Sequence, residues 1–184
     1  MIEDFTAAIA GWQIFYTVAG SAAFTLAGLV FVALSINIGI VALANEQGDL
    51  MQFARQTLGN FLALMIISLV FLIPGQDRYG MAIPLFFIGV ITMWRSALLW
   101  KMFEFGKKES RSLDKWLFRR ELLIPNTICY ALLVLISVEL FYGNTDYLYG
   151  MTLVVIWLLL AGSLSAWFLM LQLAKMAKEE KAKR

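Results

Sequence analysis

Apolar and polar residues along this chain fall into blocks and do not alternate. Five nearly uninterrupted apolar runs cover about residues 18–44, 57–74, 81–100, 122–142 and 149–174. The separators NEQGDLMQFARQ, GQDRYG and GNTD are short, and KMFEFGKKESRSLDKWLFRRE is long. Each run is close to the roughly 20 residues that a helix needs to cross a bilayer's hydrocarbon core. A helix pairs its backbone groups internally, as lipid demands, whereas barrel strands would alternate apolar and polar positions. The pattern therefore predicts an all-α membrane protein, with residues 1–184 forming one transmembrane domain built as a five-helix bundle.

Composition narrows the class further. Hydrophobic residues make up 61% of the 184 and charged residues 15%, against roughly 25% charged in soluble domains. Mean hydropathy is +0.76, more apolar surface than a soluble domain of this size could bury. One cysteine excludes a disulfide scaffold and a net charge of +2 argues against a nucleic-acid binder.

Charge also predicts direction. With five spans, one side of the membrane receives a single basic residue, Arg78, and the other receives 13, from Arg55, the loop 101–121 and the tail 175–184. Basic residues stay inside, so the N-terminus is expected outside and the C-terminus in the cytoplasm. Glu3 and Asp4 give the start no basic region, so no cleaved leader is expected. Leu113, Trp116 and Leu117, with Lys115 and Arg119 between them, predict a short interfacial helix before the fourth span. The tail is expected to continue the fifth helix. Trp12, Phe15, Tyr16, Tyr142, Tyr147 and Tyr149 are expected as outer aromatic anchors, with Trp100, Phe103, Phe105, Trp116 and Phe118 inside.

The first run carries the most pattern. On a helical wheel Thr17, Ser21, Thr25, Gly28, Val32, Ser35 and Gly39 share an arc of about 80°. Only Val32 departs from small or hydroxylated character. Such a stripe suits close helix packing in lipid, and it would also suit a pore wall for partly hydrated ions. Asn37 lies off the stripe, and its amide is expected to bond to another helix.

The segment WQIFYTVAGSAAFTLAGLVFVALSIN, residues 12–37, resembles the opening of a family of small bacterial membrane proteins. These begin with an aromatic-rich start and a Gly/Ala/Ser-rich core, and many carry a label as modulators of an AAA-type membrane protease. The resemblance implies a bacterial inner (plasma) membrane and a non-enzymatic role.

Two charges fall inside the runs, Arg95 and Glu139. Counted at 1.5 Å per residue along oppositely directed helices, they lie about 15 Å apart in depth. Direct pairing within one chain is therefore not expected. Arg95 is expected to reach toward headgroups beside Trp94 and Trp100, and Glu139 to sit near the outer interface. Pro84 and Pro125 are expected in the first turn of their helices, where a missing N–H is tolerated.

Catalytic chemistry has little to work with. There is no histidine, Cys129 lies within a run, and the serines at 35, 163 and 165 lack a base partner. No catalytic, cofactor-binding or metal residues are expected. The sequence predicts a non-enzymatic membrane protein acting by helix–helix association, with itself or in a larger membrane complex. The alternative is a homo-oligomeric ion channel lined by the first span. Expected partners are the bilayer, including anionic lipid at the cytoplasmic face, and a second copy or another membrane protein.

Overall fold

The computed structural model describes residues 9–39, 49–105, 124–144 and 146–183. Among these residues there is no strand, and five long helices form: α1 (Gln13–Ile36), α2 (Asp49–Leu72), α3 (Arg78–Phe105), α4 (Ile124–Phe141) and α5 (Leu148–Lys183). Four of them, α1, α2, α3 and α5, are long and apolar enough to cross a membrane. The apolar part of α4, Asn126–Phe141, is shorter; its 16 residues span about 24 Å at 1.5 Å each, less than the core thickness of ~30 Å. The expected interfacial helix around Leu113–Leu117 lies outside the described residues, as do Trp116 and Phe118.

The helix ends differ from the apolar runs, and local chemistry explains where. α1 begins five residues ahead of the expected span, and its regular helix stops at Ile36. There Asn37 donates its side-chain amide to the Ala33 carbonyl at 2.9 Å, and its backbone N–H bonds to the same oxygen. Asn37 thus closes its own helix, and among the described residues its side-chain amide makes no bond to another one. α2 extends the second run backward to Asp49. Pro74 and Gly75 follow it, and the positive φ of Gly75 (69°) makes the turn. Asp77 then starts α3 by accepting from the Gly80 N–H at 2.8 Å. Because α3 starts at Arg78, Pro84 sits inside the helix and not in its first turn. α4 ends on Gly143 at φ 81°. The Asn144 N–H reaches back to Glu139 and the Gly143 N–H to Leu140, a Schellman closure that satisfies the last carbonyls. α5 runs through the basic tail to Lys183, as expected.

α2 is the hub. It packs against α1, α3 and α5, while α4 rests on α3 and α5. In its apolar window 61% of residues are buried, against 17% in that of α1. Phe61, Leu64, Ile67 and Phe71 of α2 meet Met81 and Leu85 of α3, Leu133, Ile136 and Leu140 of α4, and Met151, Val154 and Leu158 of α5 in one core. Glycines set the closest approaches. A Cβ at Gly20 would sit 2.8 Å from the Ser68 Cβ, at Gly89 2.7 Å from Val134, and at Gly162 2.7 Å from Phe61. Missing side chains at these positions let the helices close on each other, the device expected where lipid supplies no hydrophobic drive.

α1 is held by one side only. α1 runs antiparallel to α2, with Tyr16 stacked on Phe71 at a ring-centroid distance of 3.7 Å, and Ala19, Ala23 and Val30 continue that face. Tyr16 is 1% exposed, so it is a core residue and not the interfacial anchor expected from sequence. Tyr142, Tyr147 and Tyr149 are exposed at the ends of α4 and α5.

Candidate functional site: a polar cavity and an outward stripe

Two features stand out against the apolar background. The first is a polar cluster where α2, α3 and α4 meet, toward the end of the bundle from which residues 106–123 depart. Gln56 and Asn60 lie one turn apart on α2, and both are buried. Asn60 Oδ1 accepts from the Tyr130 hydroxyl at 2.6 Å and from Gln56 Nε2 at 3.4 Å. Arg95 of α3 lays its guanidinium over Gly59, where a Cβ would come within 3.0 Å of Nη2 and 3.1 Å of Nη1. Nη2 donates to the Arg55 carbonyl at 3.3 Å. One turn earlier Thr92 donates its hydroxyl to the Ile88 carbonyl at 2.7 Å. Beside Arg95, the hydroxyls of Ser96 and Thr127 share a hydrogen bond of 2.7 Å between α3 and α4.

Gln56, Gly59, Asn60, Thr92, Arg95 and Tyr130 enclose a cavity of about 10 Å3, room for one water or one ligand oxygen. The cluster is rich in donors. Asn60 Nδ2 is buried without a partner. Among the described residues no carboxylate pairs with Arg95.

The expectation that Arg95 reaches toward headgroups leaves out where the side chain rests: its guanidinium lies across Gly59 of α2, and the residue stays exposed. Glu139 is half-buried in the last turn of α4, and among the described residues it makes no ion pair with Arg95. Gln56, Asn60 and Tyr130 were not singled out. The available signal was the amide pair at i, i+4 inside an otherwise apolar helix.

The second feature is the small-residue stripe. Thr17, Ser21, Thr25, Gly28, Val32, Ser35 and Gly39 are all exposed. The structure brings none of them against α2; it packs the opposite face of α1 there. A Cβ at Gly28 or Gly39 would meet nothing within 4 Å. Three of the four hydroxyls are turned back along their own helix: Thr17 donates to Gln13 O at 2.8 Å, Thr25 to Ser21 O at 2.9 Å and Ser35 to Phe31 O at 2.8 Å.

Among the described residues no three His, Cys, Asp or Glu side chains gather to hold a metal ion. Cys129 is half-buried and unpaired. Comparison with protein-family models, with curated proteins and with solved structures returns no match.

Proposed function

We propose that this chain is an integral membrane protein that acts without catalysis, by docking the outward face of α1 against a further transmembrane helix. That helix belongs to a second copy or to a larger membrane complex. The supporting observation is the contrast between the two faces of α1. The face of Tyr16, Ala19 and Ala23 is spent on the bundle, while six small or hydroxylated residues and Val32 remain uncovered on the other. Small residues on a lipid-facing surface allow backbones to approach, which is the main source of helix association in lipid. Three of its four hydroxyls, those of Thr17, Thr25 and Ser35, bond to carbonyls of their own helix. A packing surface tolerates this, and it favours association over the alternative of a water-lined channel wall.

The excess of basic residues at one end supports an N-outside, C-inside orientation. The likeness of residues 12–37 to small bacterial membrane proteins supports a bacterial inner membrane.

The test is the mass of the protein in lipid nanodiscs against its 20.8 kDa chain. An oligomer that Gly28→Leu converts to a well-folded monomer is the expected result. A wild-type monomer that also crosslinks to no partner in native membranes would overturn the reading.

A further inference from the structure

Among the described residues, the cavity lined from α2, α3 and α4 offers more donors than acceptors. Asn60 is 1% exposed, its Oδ1 is occupied by Tyr130 and Gln56, and its Nδ2 has no partner. A buried donor left without a partner is costly, because it has given up water and gained nothing in exchange. Arg95 brings five N–H groups in a fixed fork, and among the described residues its hydrogen bond goes to a backbone carbonyl. The missing component is an anion with several oxygens.

Size and surroundings narrow the anion. At about 10 Å3 the cavity admits a single oxygen, so the rest of the group must stay at the mouth, on the exposed guanidinium. That mouth is apolar. Ile91 and Leu98, one turn to either side of Arg95, are 56% and 46% exposed, and the adjacent Trp94 is 68% exposed. A free anion gains nothing from such a rim, whereas acyl chains do. The apolar stretch of α3 ends at Leu98, which places Arg95 about 5 Å inside it at 1.5 Å per residue. A long arginine side chain at that depth meets the headgroup layer.

We propose that this cavity binds the phosphate of an anionic phospholipid, with one phosphoryl oxygen entering beside Asn60 Nδ2 and the Arg95 fork holding the others. An arginine fork and a phosphate match in a bidentate manner. Gly59 is part of the site because any side chain there would push the guanidinium away. The inference rests on the membrane-embedded reading above but not on the α1 stripe.

The test is native mass spectrometry of the full chain in a nonionic detergent. It is titrated with short-chain phosphatidylglycerol, with phosphatidylcholine of the same chains, and with phosphatidylglycerol plus excess inorganic phosphate. The expected result is phosphatidylglycerol retained about tenfold over phosphatidylcholine, the factor that about 1.4 kcal/mol gives, and unaffected by inorganic phosphate. Arg95→Gln is expected to abolish the preference, and Arg78→Gln, at the opposite end of α3, to keep it. Equal retention of the two lipids, or a preference that survives Arg95→Gln, overturns the proposal. Displacement by inorganic phosphate overturns the lipid as the source. If Arg95→Gln does not fold, photoreactive phosphatidylglycerol on the wild type decides. Label on the peptides around 59–62 and 91–98 supports the site, and label confined elsewhere refutes it. A monomer in nanodiscs that crosslinks to no partner in native membranes yet retains phosphatidylglycerol would sink the association reading and leave this one standing.

Discussion

The Tyr130 hydroxyl on α4 donates to Asn60 Oδ1 on α2 at 2.6 Å, joining residues 70 positions apart. Tyr130 and Asn60 are both buried, so neither partner can turn to water. The bond also holds α4 to the hub helix at the same level as the Ser96–Thr127 hydroxyl pair that ties α3 to α4.

Tyr130→Phe should therefore destabilise the bundle by about 1 kcal/mol, the usual scale for an interhelical hydrogen bond in a membrane protein. The ring and its packing remain, so the effect isolates the hydroxyl. Reversible unfolding by sodium dodecyl sulfate in bicelles reads it, and an unchanged midpoint would show that Gln56, 3.4 Å from the same oxygen, takes over the bond.

The two faces of α1 should respond oppositely to bulk. A Cβ at Gly20 would meet the Ser68 Cβ at 2.8 Å, while one at Gly28 meets nothing. Gly20→Leu should cost about 1–3 kcal/mol by overpacking and separate α1 from α2. Gly28→Leu should leave the fold within about 0.5 kcal/mol and lower only the association. Thermal denaturation and mass in nanodiscs, measured on both variants, separate the two effects. Equal loss of fold stability in both would mean that the outward face is not free.

These contrasts also mark how far the sequence could be read. Blocks of apolar residues suffice for the helices, because in a long apolar run only the helix pairs every backbone group internally. Their ends depend on single side chains: Asn37 closes α1 on the Ala33 carbonyl, and Asp77 opens α3 on the Gly80 N–H. A wheel identifies the stripe on α1 but not which way it points, since the opposite face is also small, with Ala19, Gly20 and Ala23. Tyr16 decides the matter by stacking on Phe71, a contact 55 positions distant that periodicity cannot reveal. At the polar cavity, charge draws attention to Arg95. Asn60 and Tyr130 are uncharged, and Gln56 falls in what reads as a separator, so three of its lining residues gave little signal. Their importance comes from the approach of α3 and α4 to α2, which is tertiary.

Orientation is open to a direct measurement. With 13 basic residues assigned to one side and Arg78 alone to the other, the rule for basic loops places the C-terminus in the cytoplasm. A green fluorescent protein fused after Arg184 should fluoresce, and alkaline phosphatase at the same point should be inactive. The reverse pair of results would invert the arrangement and place the mouth of the Arg95 cavity in the outer leaflet.

Gly59→Ala tests the cavity without removing any of its polar groups. Its Cβ would lie 3.0 Å from Nη2 and 3.1 Å from Nη1 of Arg95. These atoms are the far end of a flexible side chain, so the guanidinium can yield by a few tenths of an ångström without disturbing α2 or α3. The fold should survive with a change in stability below about 1 kcal/mol. The displaced fork should lose its alignment with the Arg55 carbonyl, now 3.3 Å away, and with any phosphate above Asn60. Retention of phosphatidylglycerol in native mass spectrometry should fall in the same direction as for Arg95→Gln but by a smaller factor, because the charge remains and only its position changes. A variant as selective as wild type would mean that the guanidinium does not need its seat on Gly59 to engage the lipid.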